Sequence, residues 1–339
     1  MTEPRFDVLG IGNAIVDVLA RAEEDFLVRN ELVKGSMRLV DTAEAERIYD
    51  QMGAAIETSG GCAGNTVAGV ASFGGRAAFI GKVANDQLGA IYHHDMKGIG
   101  VRFDTPPLLE GAPTARSMIL ITPDGERTMN TYLGAAHELS PADIDRDTIA
   151  AAAITYLEGY LWDPPPAKEA FRRAADYAHA AGRRVSLTLS DSFCVDRFRG
   201  EFLELIRDGI IDILFANEAE MHALYETSDF DTALAALQRD CRLAAVTMGA
   251  NGALVVTSTG IERVPATPVE TVVDTTGAGD LFAAGFLFGE ARGMPHADCA
   301  RLGALAAAEV ISHIGPRPAT SLRGLAEQAG FRLEALARA

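Results

Sequence analysis

Residues Asp274–Gly289 read DTTGAGDLFAAGFLFG. Up to Gly279 the stretch is polar and glycine-rich, so the backbone can turn sharply and come close to a ligand. From Leu281 onward it is small and apolar (Leu281, Phe282, Ala283, Ala284, Phe286, Leu287, Phe288), the pattern of a buried helix. The loop therefore ends at a helix N-terminus, where unpaired N–H groups and the macrodipole favour an anion. Asp280 falls in that first turn. There it can cap the helix, as aspartates do, or take a proton from a hydroxyl attacking a bound phosphate. The paired threonines, the two glycines and a helix too apolar for the surface weigh against capping alone.

Outward from this stretch, the chain from residue 152 has a regular rhythm. Strands are expected at Ala152–Leu161, Arg184–Leu189, Ile211–Ala216, Leu243–Met248 and Ala253–Thr257. Helices are expected at Pro166–Ala181, Glu201–Arg207, Asn217–Tyr225 and Ala297–His313. Strands alternating with helices imply a mostly parallel sheet with helices on both faces, an α/β fold. Toward the N-terminus, Phe6–Ile11 and Ala77–Val83 read as further buried strands and Asp86–Gly98 as a helix. Residues 18–45 mix acidic residues with short β-like runs such as Ser36–Asp41 and lack the look of a core helix plus strand. Ser117–Thr122 and Thr128–Tyr132 flank Pro123-Asp124-Gly125, so a β-hairpin is expected there. A hairpin that interrupts an αβ rhythm suggests a β-sheet lid over the main sheet. With no linker or internal repeat, the simplest organisation is one domain over 1–339 with a lid inserted from about 14–45 and 101–134.

Other candidate ligand positions fall where strands end. Asn13 and Asp17 follow the first strand, at the edge where α/β sheets bind ligands; they suit a polyol, or are a turn residue and a solvated strand residue. Gly60-Gly61-Cys62-Ala63-Gly64-Asn65-Thr66 is a second small-residue loop before a helical pattern, and Asn65 can point a polar group into it; a plain strand–helix turn would use the same glycines. Arg127, on the hairpin, is either a solvated cation or a lid charge over a phosphate. Asn217 and Glu220 lie three apart at a helix start, where their oxygens suit Mg²⁺ or form a capping box. Thr247, Gly249 and Gly252 border a turn against which a nucleotide can lie, or which merely joins two strands. Tyr160, Leu161 and Trp162 are either neighbours of a purine base or core.

Composition narrows the classes. The 30 basic and 47 acidic residues leave a formal net charge of −17, which argues against nonspecific binding of nucleic acid or anionic membrane. No apolar run reaches spanning length and MTEPRFD lacks a signal pattern, so a cytoplasmic location is expected. Cys62, Cys194, Cys241 and Cys299 are too scattered for a zinc site and read as reduced thiols. GxxxxGK[ST], GxGxxG after the first strand, HExxH and GxSxG are all missing, which removes support for P-loop, Rossmann, zincin and α/β-hydrolase chemistry.

DTTGAGD with its apolar helix, GGCAGNT, the N-terminal GNAIVD, NEAE and TMGANG together resemble, in order and spacing, the ribokinase-like (PfkB) sugar and nucleoside kinases. GNAIVD, GGCAGNT and RTMNTYLGAA look most like the adenosine kinase branch. The resemblance covers essentially the whole chain. It implies a ribokinase-like fold and transfer of the γ-phosphoryl group of ATP to a hydroxyl. Asp280 would be the base, the amides of Gly277, Ala278 and Gly279 the anion hole, and Arg127 the charge that closes over the phosphate. Asn13, Asp17, Gly61 and Asn65 would hold the acceptor's hydroxyls. Thr247, Gly249 and Gly252 would line the ATP site, and Asn217 and Glu220 would organise Mg²⁺ through water. Asp274 and the backbone near Gly315 would hold a monovalent cation such as K⁺. Gly64 stands where that branch usually has a larger apolar residue, and Thr276 where Asn is common. The acceptor is expected to be an adenosine-like nucleoside, with a free sugar or sugar acid (ribose, fructose, 2-keto-3-deoxygluconate) as the alternative. A non-catalytic nucleotide or sugar sensor is a third class, although binding alone would not require Asp280. The partners expected are a small molecule and, at most, a second copy paired through the lid.

Overall fold

A computed structural model describes residues 3–333; the expected bounds at 1–339 and the reading of the N-terminus run onto residues outside these. The larger sheet has the order Gly260–Val264, Ala253–Thr257, Leu243–Thr247, Ile213–Asn217, Arg184–Thr188, Ala152–Glu158, Phe6–Ile11, Ala77–Ile80, Arg102–Phe103. Its pairings are parallel except at one edge, where Leu243–Thr247, Ala253–Thr257 and Gly260–Val264 run antiparallel. The interior strands are largely apolar because helices bury both faces. One face packs against helices Cys62–Ser72, Ala278–Ala291 and His296–Val310 through Val67, Val70, Phe282, Phe286 and Leu302. The other packs against Pro165–Ala180, Ser192–Arg207 and Phe230–Asp240 through Phe171, Phe202 and Leu237. Such a sheet, with a second small one beside it, is the ribokinase-like α/β architecture the sequence implies.

The second sheet has the order Met37–Leu39, Arg127–Tyr132, Ala115–Ile121, Ile15–Arg21, Ala55–Ser59. Ala115–Ile121 and Arg127–Tyr132 form the expected hairpin, antiparallel with Ile121 opposite Arg127. The sheet also takes in Ala55–Ser59, beyond the expected lid bounds, while Arg102–Phe103 belongs to the larger sheet. Residues 18–45, where no core helix and strand were expected, hold most of Ile15–Arg21, helix Glu24–Arg29, Met37–Leu39 and the start of helix Thr42–Gln51. Leu27, Ala45, Ile48, Met118 and Leu120 pack a small core beneath it. Ala55–Ser59 and Gly260–Val264 are largely exposed edge strands, so they lack the one buried face whose alternation would reveal them. The helix expected at Glu201–Arg207 begins at Ser192; non-helical backbone at Phe198 interrupts its periodicity. Only Gly12–Ala14 separate the central strand Phe6–Ile11 from lid strand Ile15–Arg21. That short connection brings the lid to the carboxyl edge of the larger sheet. None of the helices among the described residues is long and apolar enough to cross a membrane.

Candidate active site

The Asp274–Asp280 loop closes onto the start of helix Ala278–Ala291 with Gly277 as its N-cap, at φ 79°. A Cβ there would lie 2.9 Å from Pro316, so only glycine fits. Gly277 has no side chain with which to cap. The amides of Gly277 and Gly279 have no protein partner among the described residues, whereas Ala278 N donates to Thr275 O at 3.2 Å. Of the three expected anion-hole amides, the Ala278 N–H is thus already engaged, and a bound phosphate would have to compete for it.

Asp280, at the third helical position, does not turn back on its own helix. Its Oδ2 accepts from Asn65 Nδ2 at 2.9 Å, and its backbone O accepts from Thr66 Oγ1 at 3.1 Å. The two small-residue loops, 215 residues apart in sequence, therefore meet through these side chains. Gly61 makes the second loop possible: it caps helix Cys62–Ser72 at φ 82°, and a Cβ there would be 2.2 Å from Asn13 O. Asn13 is buried and donates to Glu158 Oε1 at 2.8 Å, while its Oδ1, also buried, has no partner. Asp17 enters from lid strand Ile15–Arg21, against Gly60. Asn13, Asp17, Gly61, Asn65 and Asp280 thus come together.

Burial raises the carboxyl groups here. Asp280 is pushed up to about 6, against hydrogen bonds from Asn65 and Cys62 and the charge of Arg317. Asp17 rises to about 7, with Arg317 and Arg127 opposing. Glu158, 1% exposed, rises to about 7 although Ala63 N and Asn13 hydrogen-bond it. A carboxyl near 6 is a competent proton acceptor at neutral pH. Sequence reasoning missed Glu158. A glutamate ending a mostly apolar strand, AAITYLE, was the available signal, because a buried charge calls for a partner. Arg317 was missed as well, with no motif around it.

Arg127 reaches the glycine loop from the lid. Its Nη2 lies 2.7 Å from Asp274 Oδ2 and its Nη1 donates to Thr276 Oγ1 at 3.2 Å. Asp274 also accepts from Thr276 N, Thr276 Oγ1 and Gly315 N. The expected cation position near Gly315 therefore holds a guanidinium.

The remaining candidates form a separate group along the same edge of the sheet. Asn217 caps helix Glu218–Tyr225, with its Oδ1 accepting from Glu220 N at 2.9 Å; Glu220 Oε2 accepts in return from Asn217 N at 3.0 Å. Asn217 Nδ2 also donates to Glu220 Oε1 at 2.6 Å. The capping box is thus present and self-satisfied. Burial, with Asp191 nearby, pushes Glu220 up to about 7. Among the described residues no group of three or more His, Cys, Asp or Glu could hold a metal. A divalent ion would fit here only through waters and phosphate oxygens. Thr247, Gly249 and Gly252 border a tight turn between antiparallel strands, with Gly252 at φ 86°. Two further residues lie nearby: Ser190, at φ 75°, and Asp191, which accepts from Tyr160 Oη at 3.0 Å. Leu161 and Trp162 are fully buried, and Trp162 packs against Phe171 and Phe202. They belong to the core.

Residues 35–322 match the pfkB family carbohydrate kinases. The chain belongs to that family. A pfkB kinase is a phosphotransferase with an alcohol group as acceptor, which is what a carboxylate beside open amides can serve. The chain is 59% identical to adenosine kinase from Sinorhizobium meliloti, with 96% of this chain and 99% of that one covered and a TM-score of 0.90. It is 56% identical to a probable sugar kinase from Rhizobium etli CFN 42, with the same coverage and TM-score. ATP-dependent ribose-1-phosphate kinase from Halopiger xanaduensis is 33% identical over 242 residues, 68% of this chain and 73% of that protein. These pfkB relatives share a reaction type and differ in acceptor.

Proposed function

We propose that this pfkB kinase transfers the γ-phosphoryl group of ATP to a hydroxyl of an adenosine-like nucleoside, with Asp280 as general base. The observation that carries this reading is the Asn65–Asp280 hydrogen bond, which ties a polyol-binding loop to a carboxylate at an open helix N-terminus. Phosphoryl transfer asks the protein mainly for alignment and for stabilisation of spread negative charge. Asn13, Asp17, Gly61 and Asn65 hold the acceptor's hydroxyls and aim one at Asp280. Gly277 and Gly279 offer amides to the phosphoryl oxygens, joined by Ala278 once Thr275 O is released. Arg127 exchanges Asp274 for the transferred group, so lid closure and charge stabilisation arrive together. Thr247, Gly249 and Gly252 border the nucleotide. Asn217 and Glu220 orient waters around the divalent ion, Mg²⁺ in this reading. When bound, that ion neutralises phosphate charge. Asp274 serves as the lid's latch, and K⁺ could reach it only after Arg127 has left.

The likeness to the Sinorhizobium meliloti adenosine kinase supports the nucleoside. One observation favours a free sugar instead: of the apolar and aromatic neighbours expected for a base, Leu161 and Trp162 are fully buried in the core, which leaves only Tyr160. ATP turnover against adenosine, other nucleosides, ribose, fructose and 2-keto-3-deoxygluconate tests both. Adenosine is expected to give the highest kcat/KM. Turnover with sugars alone transfers the assignment to the second reading, and no turnover with any acceptor points to the sensor.

A further inference from the structure

Arg317 lies beyond the last long helix, on the segment whose Pro316 packs against Gly277. Its Nε donates to Asn65 Oδ1 at 2.9 Å and its Nη2 to Ser59 Oγ at 3.2 Å. Met96 Sδ backs the guanidinium at 3.9 and 4.0 Å. The other end of the same amide, Asn65 Nδ2, donates to Asp280 Oδ2. Guanidinium, amide and carboxylate are thus joined in series. An asparagine amide accepts at one end and donates at the other, whereas a guanidinium only donates. With Arg317 held on the oxygen end, the donor end must face Asp280. Gly64 makes the arrangement fit: a Cβ there would lie 2.8 Å from Tyr92 Oη and 3.5 Å from Arg317 Nη2. The glycine that departs from the usual apolar residue therefore leaves the space taken by the Tyr92 hydroxyl, beside the guanidinium.

We infer that Arg317 is a positioning residue for phosphoryl transfer: it locks the Asn65 amide so that Asp280 Oδ2 is anchored and the carboxylate is held in the orientation that meets the acceptor hydroxyl. This rests on Asp280 being the base. Facing Asp280 are Cys62, Tyr156, Glu158, Tyr160 and Asp17, all neutral or anionic, together with Arg317. Against burial, the hydrogen bonds from Asn65 and Cys62 lower Asp280 most, and Arg317 adds the positive charge that lowers it further. Removing that charge raises the base, so the acid limb of kcat moves to higher pH. A guanidinium and an ammonium are not equivalent here, because only the former offers an in-plane Nε–H to Asn65 Oδ1.

The test compares pH profiles of kcat for the full chain and for Arg317→Gln, Arg317→Lys and Asp280→Asn, on the acceptor chosen by the panel above, with unfolding midpoints alongside. Arg317→Gln is expected to lose about tenfold to a hundredfold in kcat through misalignment and to move the acid limb to higher pH, as loss of both the charge and the fixed Asn65 donor requires. Arg317→Lys is expected to keep the limb in place yet still lose kcat. If Asp280→Asn is inactive while Arg317→Gln keeps both kcat and limb, the positioning role falls and the base stands. A kcat loss that merely tracks a lower unfolding midpoint, with the limb unmoved, also overturns it. Near-normal turnover by Asp280→Asn removes the base and this inference with it. Should Arg317→Gln fail to fold, full kcat in Arg317→Lys overturns the inference by itself.

Discussion

Two helix starts in this molecule carry an acidic residue at the same place and use it in opposite ways. Helix Glu218–Tyr225 has Asn217 as its N-cap and Glu220 at the third position; the two side chains satisfy each other's backbone amides. Helix Ala278–Ala291 has Gly277 as its N-cap and Asp280 at the third position, and Asp280 reaches across to Asn65. The difference begins with the N-cap. Asparagine brings an acceptor for the first-turn amides, and glutamate is long enough to return to the cap. Glycine brings none, and its positive φ turns the preceding backbone away. One start is closed to ligands by its own side chains. The other leaves the Gly277 and Gly279 amides open and turns its carboxylate away from its own helix. What distinguishes a capping carboxylate from a free one here is the residue three positions earlier and the neighbour supplied by a distant loop.

The hardest blow to this contrast comes from removing the freed carboxylate. Asp280→Asn is expected to keep acceptor binding and lose about 10²–10⁴-fold in kcat, measured by steady-state turnover with binding followed by calorimetry. With Asp280 pushed up to about 6 by burial, kcat/KM of the unaltered enzyme is expected to fall as pH drops through that value, read from a pH profile. Closing the open start is the next test. Gly277→Ala forces a Cβ against Pro316 at a positive φ and is expected to cost on the order of 1–3 kcal/mol of stability. Denaturant titration measures that cost, and a lower affinity for ATP should accompany it. The mildest effect is expected at the closed start. Asn217→Ala removes a cap worth ~1 kcal/mol, read as a small drop in unfolding midpoint with kcat reduced far less than in Asp280→Asn. Equal kcat losses in the two variants would erase the distinction between the starts.

How far the sequence could be read follows from where each signal resides. The apolar run after Gly279 and the strand–helix rhythm after residue 152 are local patterns, and most became buried elements close to their expected bounds; the helix expected at Glu201–Arg207 begins at Ser192, and helix Phe230–Asp240 was not expected. The lid was legible at its Pro-Asp-Gly hairpin, because turn chemistry is local. It was illegible at Ala55–Ser59, an exposed edge strand. Asn65 and Asp280 stood out as loop residues, yet nothing in either loop announces that they share a hydrogen bond. Glu158 and Arg317 carry no motif. They matter because the fold buries them beside groups far away in sequence.

By itself, the sequence determined the elements, the glycine turns that only glycine can make, and the acidic residue at an open helix start. Those rest on backbone sterics and on hydrophobic period, which act between near neighbours along the chain. Only the tertiary structure decided which acidic residue caps and which is free, that Arg127 crosses from the lid to Asp274, and that Arg317 stands behind Asn65. These are outcomes of burial and of partners brought from more than a hundred residues away, and electrostatics and hydrogen bonding depend on distance in space.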